Sequence, residues 1–120
     1  MATLELSAEN FQTTITENDF VIVDFWAPWC GPCRSFAPTY EAVSEKHPEI
    51  VFAKVDTEAQ PNIAAAFNIR SIPTLMVFRD QIIIYAEAGA LSAGALGQVI
   101  QQARDLDMSQ VRSEIAAQGG

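Results

Sequence analysis

The chain has 120 residues, with 15 acidic and 7 basic side chains, a formal net charge of −8 and an apolar fraction of 49%. That size and composition suit one globular domain with an ordinary core, and the lack of any Lys/Arg cluster argues against a nucleic-acid partner. No apolar run approaches a membrane span, and Met1 to Asn10 carry no basic segment followed by an apolar one, so cytoplasmic residence without a membrane partner is the expectation.

After a short opening segment, Ser7 precedes a stretch in which Phe11 and Ile15 stand four apart, which suggests a capped amphipathic helix. Phe20 to Trp26 reads as a strand apolar on both faces, the kind found in the middle of a covered sheet. From Gly31 to about His47 the spacing of Phe36, Tyr40 and Val43 is helical, with Pro38 expected to kink the helix and His47-Pro48 to stop it. Ile50 to Val55 is the next strand, and Glu58 to Phe67 an alanine-rich helix ended by Asn68. Thr74 to Arg79 and Ile82 to Ala88 are apolar runs separated only by Asp80-Gln81, a spacing that demands an antiparallel hairpin. Ser92 then opens a helix with Leu96, Val99, Ile100 and Ala103 on one face, weakened by about 1 kcal/mol at Gly97. In the tail, Met108, Val111 and Ile115 fall on one stripe behind Asp107, which with Gln110 resembles a capping signal. Such a stripe packs on its own domain or docks a partner.

The chemistry of the chain is concentrated in Trp29-Cys30-Gly31-Pro32-Cys33, which holds both of its cysteines. A cysteine just past a strand and at the start of a helix meets unpaired backbone N–H groups and the positive end of the helix dipole, and both favour the thiolate. The second cysteine lies almost one turn further on the same face, so the two sulfurs can close a small ring. Pro32 fits a first-turn position, where its missing N–H costs nothing. Structural zinc needs four ligands, and beyond two cysteines the chain offers one histidine, His47. A c-type haem would require histidine where Arg34 stands. A purely structural bridge over so short a loop removes only roughly 2 kcal/mol of unfolded-chain entropy. The pair is therefore read as redox-active, with Cys30 expected nearer to solvent.

Asp24 interrupts an apolar strand on the face shared with Ile22 and Trp26, where burial should raise its pKa. Taken alone, it reads equally as a proton acceptor for Cys33 or as a buried acid paired with Lys54 on a neighbouring strand. His47, at a helix end with no ligand partners in sequence, reads as a solvated capping residue.

Asp24-Phe25-Trp26-Ala27, Trp29-Cys30-Gly31-Pro32-Cys33, Ala37-Pro38, Lys54-Val55-Asp56, Ile72-Pro73-Thr74 and Gly89-Ala90 together resemble the thioredoxin family, over roughly Leu4 to Arg104. The resemblance implies an α/β thioredoxin fold: a central mixed β-sheet flanked by four helices, with residues 1–105 as the family domain and 106–120 as a C-terminal extension forming a short helix. It further implies that Cys30 attacks a target disulfide and Cys33 resolves the mixed disulfide, with Asp24 as the proton acceptor, Lys54 as its electrostatic modulator and Pro73 in a cis bond facing the sulfurs. Trp29, Gly31, Pro32, Ile72, Gly89 and Ala90 would form the platform on which target chains lie, and Trp26 would pack beneath. The implied activity is a general protein-disulfide reductase, monomeric, with no bound cofactor or metal, fed by thioredoxin reductase and acting on many disulfide-containing proteins. No cation lies between the cysteines, which favours reduction over disulfide donation. A polypeptide-holding module with secondary redox activity is the alternative, and a secreted isomerase is disfavoured by the Gly-Pro pair. Three positions depart from the family pattern: Asp80-Gln81 at a turn that commonly carries glycine, Ser71 before Ile72, and the extension itself.

Overall fold

The computed structural model describes residues 3–119. Met1 and Ala2, where the expectation about a leader segment begins, and Gly120, the end of the expected extension, lie outside the described residues. The elements in order are β1 (Thr3–Glu5), α1 (Phe11–Glu17), β2 (Phe20–Trp26), α2 (Gly31–Ser44), β3 (Val51–Asp56), α3 (Pro61–Ala66), β4 (Thr74–Arg79), β5 (Ile82–Ala88), α4 (Ala93–Asp105) and α5 (Met108–Ala117). They build one five-stranded sheet in the order β1-β3-β2-β4-β5. β1, β3 and β2 run parallel, and β4 and β5 are antiparallel additions.

β2 is central and buried along almost its whole length, as its unbroken apolar run requires. Its alternation divides the core in two. Ile22 joins Phe52, Leu75 and Val77 against Phe36 and Tyr40 of α2 and Leu96 and Ile100 of α4. Val21, Val23 and Phe25 point the other way, with Val55, Met76 and Phe78, toward Ile15 of α1 and Phe67 at the end of α3. Phe67 anchors that second layer, with ring centroids 5.4 Å from Phe11, 6.0 Å from Phe25 and 6.0 Å from Phe78. Tyr40 is fully buried in the first layer, its hydroxyl 3.0 Å from the Ile22 carbonyl and 2.8 Å from the Ala53 carbonyl, so its single proton always has an acceptor.

Several boundaries differ from the sequence expectation for identifiable reasons. The opening segment contains a short strand, β1, which pairs with β3. Ser7 does not cap α1; its carbonyl accepts from the N–H groups of Asn10 and Phe11, and the helix starts only at Phe11. α3 is three residues shorter at its start, because the Asp56 carboxylate accepts from the Glu58 and Ala59 N–H groups at 2.9 and 3.3 Å and turns that segment before Pro61 opens the helix. α2 gives way after Ser44 to a tighter turn in which the Lys46 and His47 N–H groups reach back three residues. The hairpin is present as expected, with Asp80 and Gln81 both left-handed at φ 53° and 69°, the conformation a two-residue loop between twisted strands requires. Asn68, at φ 56°, ends α3 in the same conformation.

The tail forms α5, capped by the Asp107 carboxylate, which accepts from the Gln110 N–H at 3.2 Å. Its stripe packs on the protein only at its first turn. Met108 is buried, Val111 is half-buried and Ile115 is exposed, while Arg112 pairs with Asp80 of the hairpin turn at 2.8 Å. Among the described residues, no helix is long and apolar enough to cross a membrane.

Candidate active site

Cys30 is the N-cap of α2, at φ −86° and ψ 114°, where the chain leaves the end of β2 and enters the helix. It is joined to Cys33 by a disulfide with the Cα atoms 5.2 Å apart. The Cys33 N–H points at Cys30 Sγ from 3.2 Å, and Pro32 sits in the first turn, where no donor is missed. Once the bridge is reduced, the same N–H and the helix dipole favour negative charge on Cys30. Both cysteines are buried, Cys30 4% and Cys33 2% exposed, so the expected greater exposure of Cys30 amounts to very little. Ala27, Trp26 and Ile72 pack around both, so the asymmetry between them is electrostatic, set by the cap position.

The surroundings expected from the sequence are gathered here. Ile72 and Pro73 are linked by a cis bond, and the Ile72 carbonyl oxygen lies 3.8 Å from Cys30 Sγ. The Gly89 N–H donates to the Pro73 carbonyl at 2.8 Å, which ties the start of the β5–α4 loop to this segment and brings Ala90 with it. Gly89 adopts φ 114°, a conformation L side chains rarely take, so glycine is required there. Trp29 is 65% exposed, Pro32, Gly89 and Ala90 are exposed, and Gly31 and Ile72 are half-buried, which leaves an apolar rim around the sulfurs.

Asp24 lies beneath, on the α2 side of β2. It is 1% exposed, and neither carboxylate oxygen has a hydrogen-bond partner. Burial pushes its pKa from 3.8 up to about 7, against the pull of Lys54 and with a further push from Glu5. The paired-acid reading is not what the geometry holds. Among the described residues no ion pair joins Asp24 to Lys54; the Lys54 ammonium instead sits 4.6 Å from the centroid of the Trp26 ring, a cation–π contact. Glu5 of β1 was not legible as part of this neighbourhood. It is in register with Lys54, which is in register with Asp24, and its carboxylate accepts from Trp26 Nε1 at 3.3 Å. The polar Thr3 and Glu5 alternating with Leu4 and Leu6 were its only signal. His47 stays away from the sulfurs, between Phe52, Arg104 and Glu49. Among the described residues no group of three or more His, Cys, Asp and Glu side chains could hold a metal ion.

A reversible dithiol at a helix start, a buried acid of raised pKa and an apolar rim are the parts of a disulfide-exchange site. The Thioredoxin family model matches residues 2–102. The chain belongs to the thioredoxin family. It is 56% identical over 117 residues to a Streptomyces coelicolor chain designated thioredoxin 2, covering 98% of this chain and 87% of that one. Thioredoxin C-3 of Corynebacterium nephridii is 44% identical over 100 residues, 82% of this chain and 69% of its own. A solved Plasmodium falciparum thioredoxin superposes with a TM-score of 0.78 at 37% identity, over 82% of this chain and 97% of that chain. The fold is thus the thioredoxin fold, with α5 added after its four helices. With its cysteine pair intact, this family member is a thiol-disulfide oxidoreductase that reduces protein disulfides. The polypeptide-holding alternative is not favoured. Thioredoxins in general take electrons from thioredoxin reductase and pass them to disulfide-bearing proteins.

Proposed function

We propose that Cys30 is the attacking sulfur of this thioredoxin and Cys33 the resolving one. The Cys30 thiolate attacks one sulfur of a target disulfide, forming a mixed disulfide and releasing the other target sulfur as thiolate. Cys33 then loses its proton to Asp24, attacks Cys30 Sγ and expels the second target thiolate, leaving the Cys30–Cys33 bridge. A reductase returns two electrons and restores the dithiol. The observation that carries this assignment is the Cys33 N–H aimed at Cys30 Sγ, which favours charge on one sulfur of the pair.

Asp24 suits the acceptor role because a base whose pKa lies near the working pH can both take and release a proton. Lys54 tunes it, and Pro73, which has no N–H, presents no donor to the sulfurs. Trp29, Gly31, Pro32, Ile72, Gly89 and Ala90 form the platform for an extended target segment. We assign residues 1–105 to the redox domain and 106–120 to an extension, and place the protein in the cytoplasm as a monomer served by thioredoxin reductase, acting on many targets.

The test is turnover of a protein disulfide coupled to a reductase and its reduced nucleotide. Cys30→Ser should abolish turnover, and Cys33→Ser should accumulate a covalent complex that thiol reagents release. Asp24→Asn should slow turnover at neutral pH with the fold intact. A covalent complex trapped by Cys30→Ser instead would reverse the assignment of the two sulfurs.

A further inference from the structure

The three strands β1, β3 and β2 place Glu5, Lys54 and Asp24 in one row across the sheet, each in register with the next. The row is polar at its edge and dry at its centre: Glu5 is exposed, Lys54 half-buried and Asp24 buried. Trp26 lies one alternation beyond Asp24 on the same strand and face, and it ties the row together. Its ring carries the Lys54 ammonium at 4.6 Å, and its Nε1–H donates to Glu5 at 3.3 Å. The one cation of the row thus rests over an indole whose polar edge is held by the edge-strand carboxylate, while the buried Asp24 carboxyl has no hydrogen-bond partner.

We propose that Glu5 is a positioning residue for proton transfer at Asp24, acting by drawing the Lys54 ammonium toward the Trp26 side of the row and away from the buried carboxyl. The proposal rests on Asp24 as the proton acceptor. Two charges of one sign compete for one lysine, and the exposed one prevents the lysine from neutralising the buried one. The electrostatics agree in direction, since Lys54 lowers the pKa of both acids and Glu5 raises that of Asp24. The other groups facing this region are few. Tyr40 of α2 faces Asp24 from a fully buried position, and its pKa is held well above the usual phenol range, mainly by that burial. The Cys30–Cys33 bridge does not titrate. Leu75 of β4, the register partner of Asp24 on its other side, is uncharged, and Glu87 of β5 lies one strand further. α4 presents apolar Leu96, Ile100 and Ala103 to this face. Asp56, the register partner of Trp26, acts on Glu5 in both directions, its charge raising the pKa and a backbone hydrogen bond lowering it.

Glu5→Gln separates charge from contact, because the amide oxygen can still accept from Trp26 Nε1. Asp24 would be titrated by carbon-13 carboxyl NMR in the full-length oxidised protein, where no turnover is involved. Strands stand about 4.8 Å apart, so Glu5 and Asp24 are separated by about 10 Å across a partly dry face. At that separation, loss of the charge should lower the Asp24 midpoint by about half a pH unit or more, a threefold or greater change in proton affinity. The acid limb of the turnover profile should move to lower pH by the same amount. In a Lys54→Met background the Glu5→Gln shift should shrink, because only direct repulsion remains. An unmoved Asp24 midpoint in Glu5→Gln overturns the proposal and assigns Glu5 to packing of Trp26. Equal shifts in both backgrounds overturn the route through Lys54. The reading beneath it fails separately, if Asp24→Asn turns over like the parent protein while the Glu5→Gln midpoint still moves.

Discussion

Asp24→Asn should change how the stability of the protein depends on pH, and the size of the change follows from its burial. In the unfolded chain this carboxyl releases its proton near 3.8, whereas in the folded protein it holds it up to about 7. Between those two values the folded state binds a proton that the unfolded state does not, so stability falls as pH rises through this window. At about 1.4 kcal/mol for each tenfold change in proton affinity, a rise from 3.8 to about 7 amounts to roughly 4 kcal/mol, present in full below the unfolded value and lost above about 7. Asparagine has no such titration. Its unpaired amide costs on the order of 1–3 kcal/mol at every pH, comparable to the unpaired protonated acid it replaces. The variant should therefore match the parent near pH 4 and exceed it by roughly 4 kcal/mol at pH 8, a separation of about 2 M in urea midpoint for a domain of this size. The assay is urea unfolding of both oxidised proteins from pH 4 to 8.5, followed by tryptophan fluorescence, with the difference between the curves isolating Asp24 from all other groups. A difference that varies by less than about 1 kcal/mol over that range would refute the argument that burial without a partner governs this carboxyl.

Two further predictions rest on packing. Tyr40→Phe removes a hydroxyl proton shared between the Ile22 and Ala53 carbonyls and should cost about 1–2 kcal/mol in chemical denaturation while leaving turnover unchanged. Truncation after Asp105 removes the buried Met108 and the Arg112–Asp80 pair and should lower Tm by several degrees, equivalent to about 2–3 kcal/mol. Arg112→Ala alone should cost less than about 1 kcal/mol, because that pair is exposed, and an equal loss in the two variants would show that the pair rather than Met108 holds the helix.

What could be read from the sequence was whatever depends on neighbours along the chain. The alternation Ile22, Asp24, Trp26 set the acid on one face with those two residues, the face that α2 covers, and the two-residue gap at Asp80-Gln81 required a hairpin. The cap position of Cys30 followed from strand, motif and helix in succession. What could not be read depends on which strands meet. β1 is three residues long, and its polar Glu5 gains meaning only because strand order sets it beside Lys54. The start of α3 was obscured because a side chain, Asp56, captures the backbone donors of the next segment, a competition that periodicity does not register. The near-equal burial of Cys30 and Cys33 likewise depends on Trp26 of β2 and Ile72 of the α3–β4 connection packing against the same cluster.

β4 begins at Thr74, two residues after the Ile72 that packs on the cysteines, and ends at Arg79, roughly 17 Å along the strand, where the hairpin turn receives Arg112 from the last helix. The molecule therefore has a reactive pole and an anchoring pole, joined by a single buried strand. Cargo, labels or a surface tether attached behind α5 would hang from the anchoring pole, leaving the opposite end free to meet incoming polypeptides.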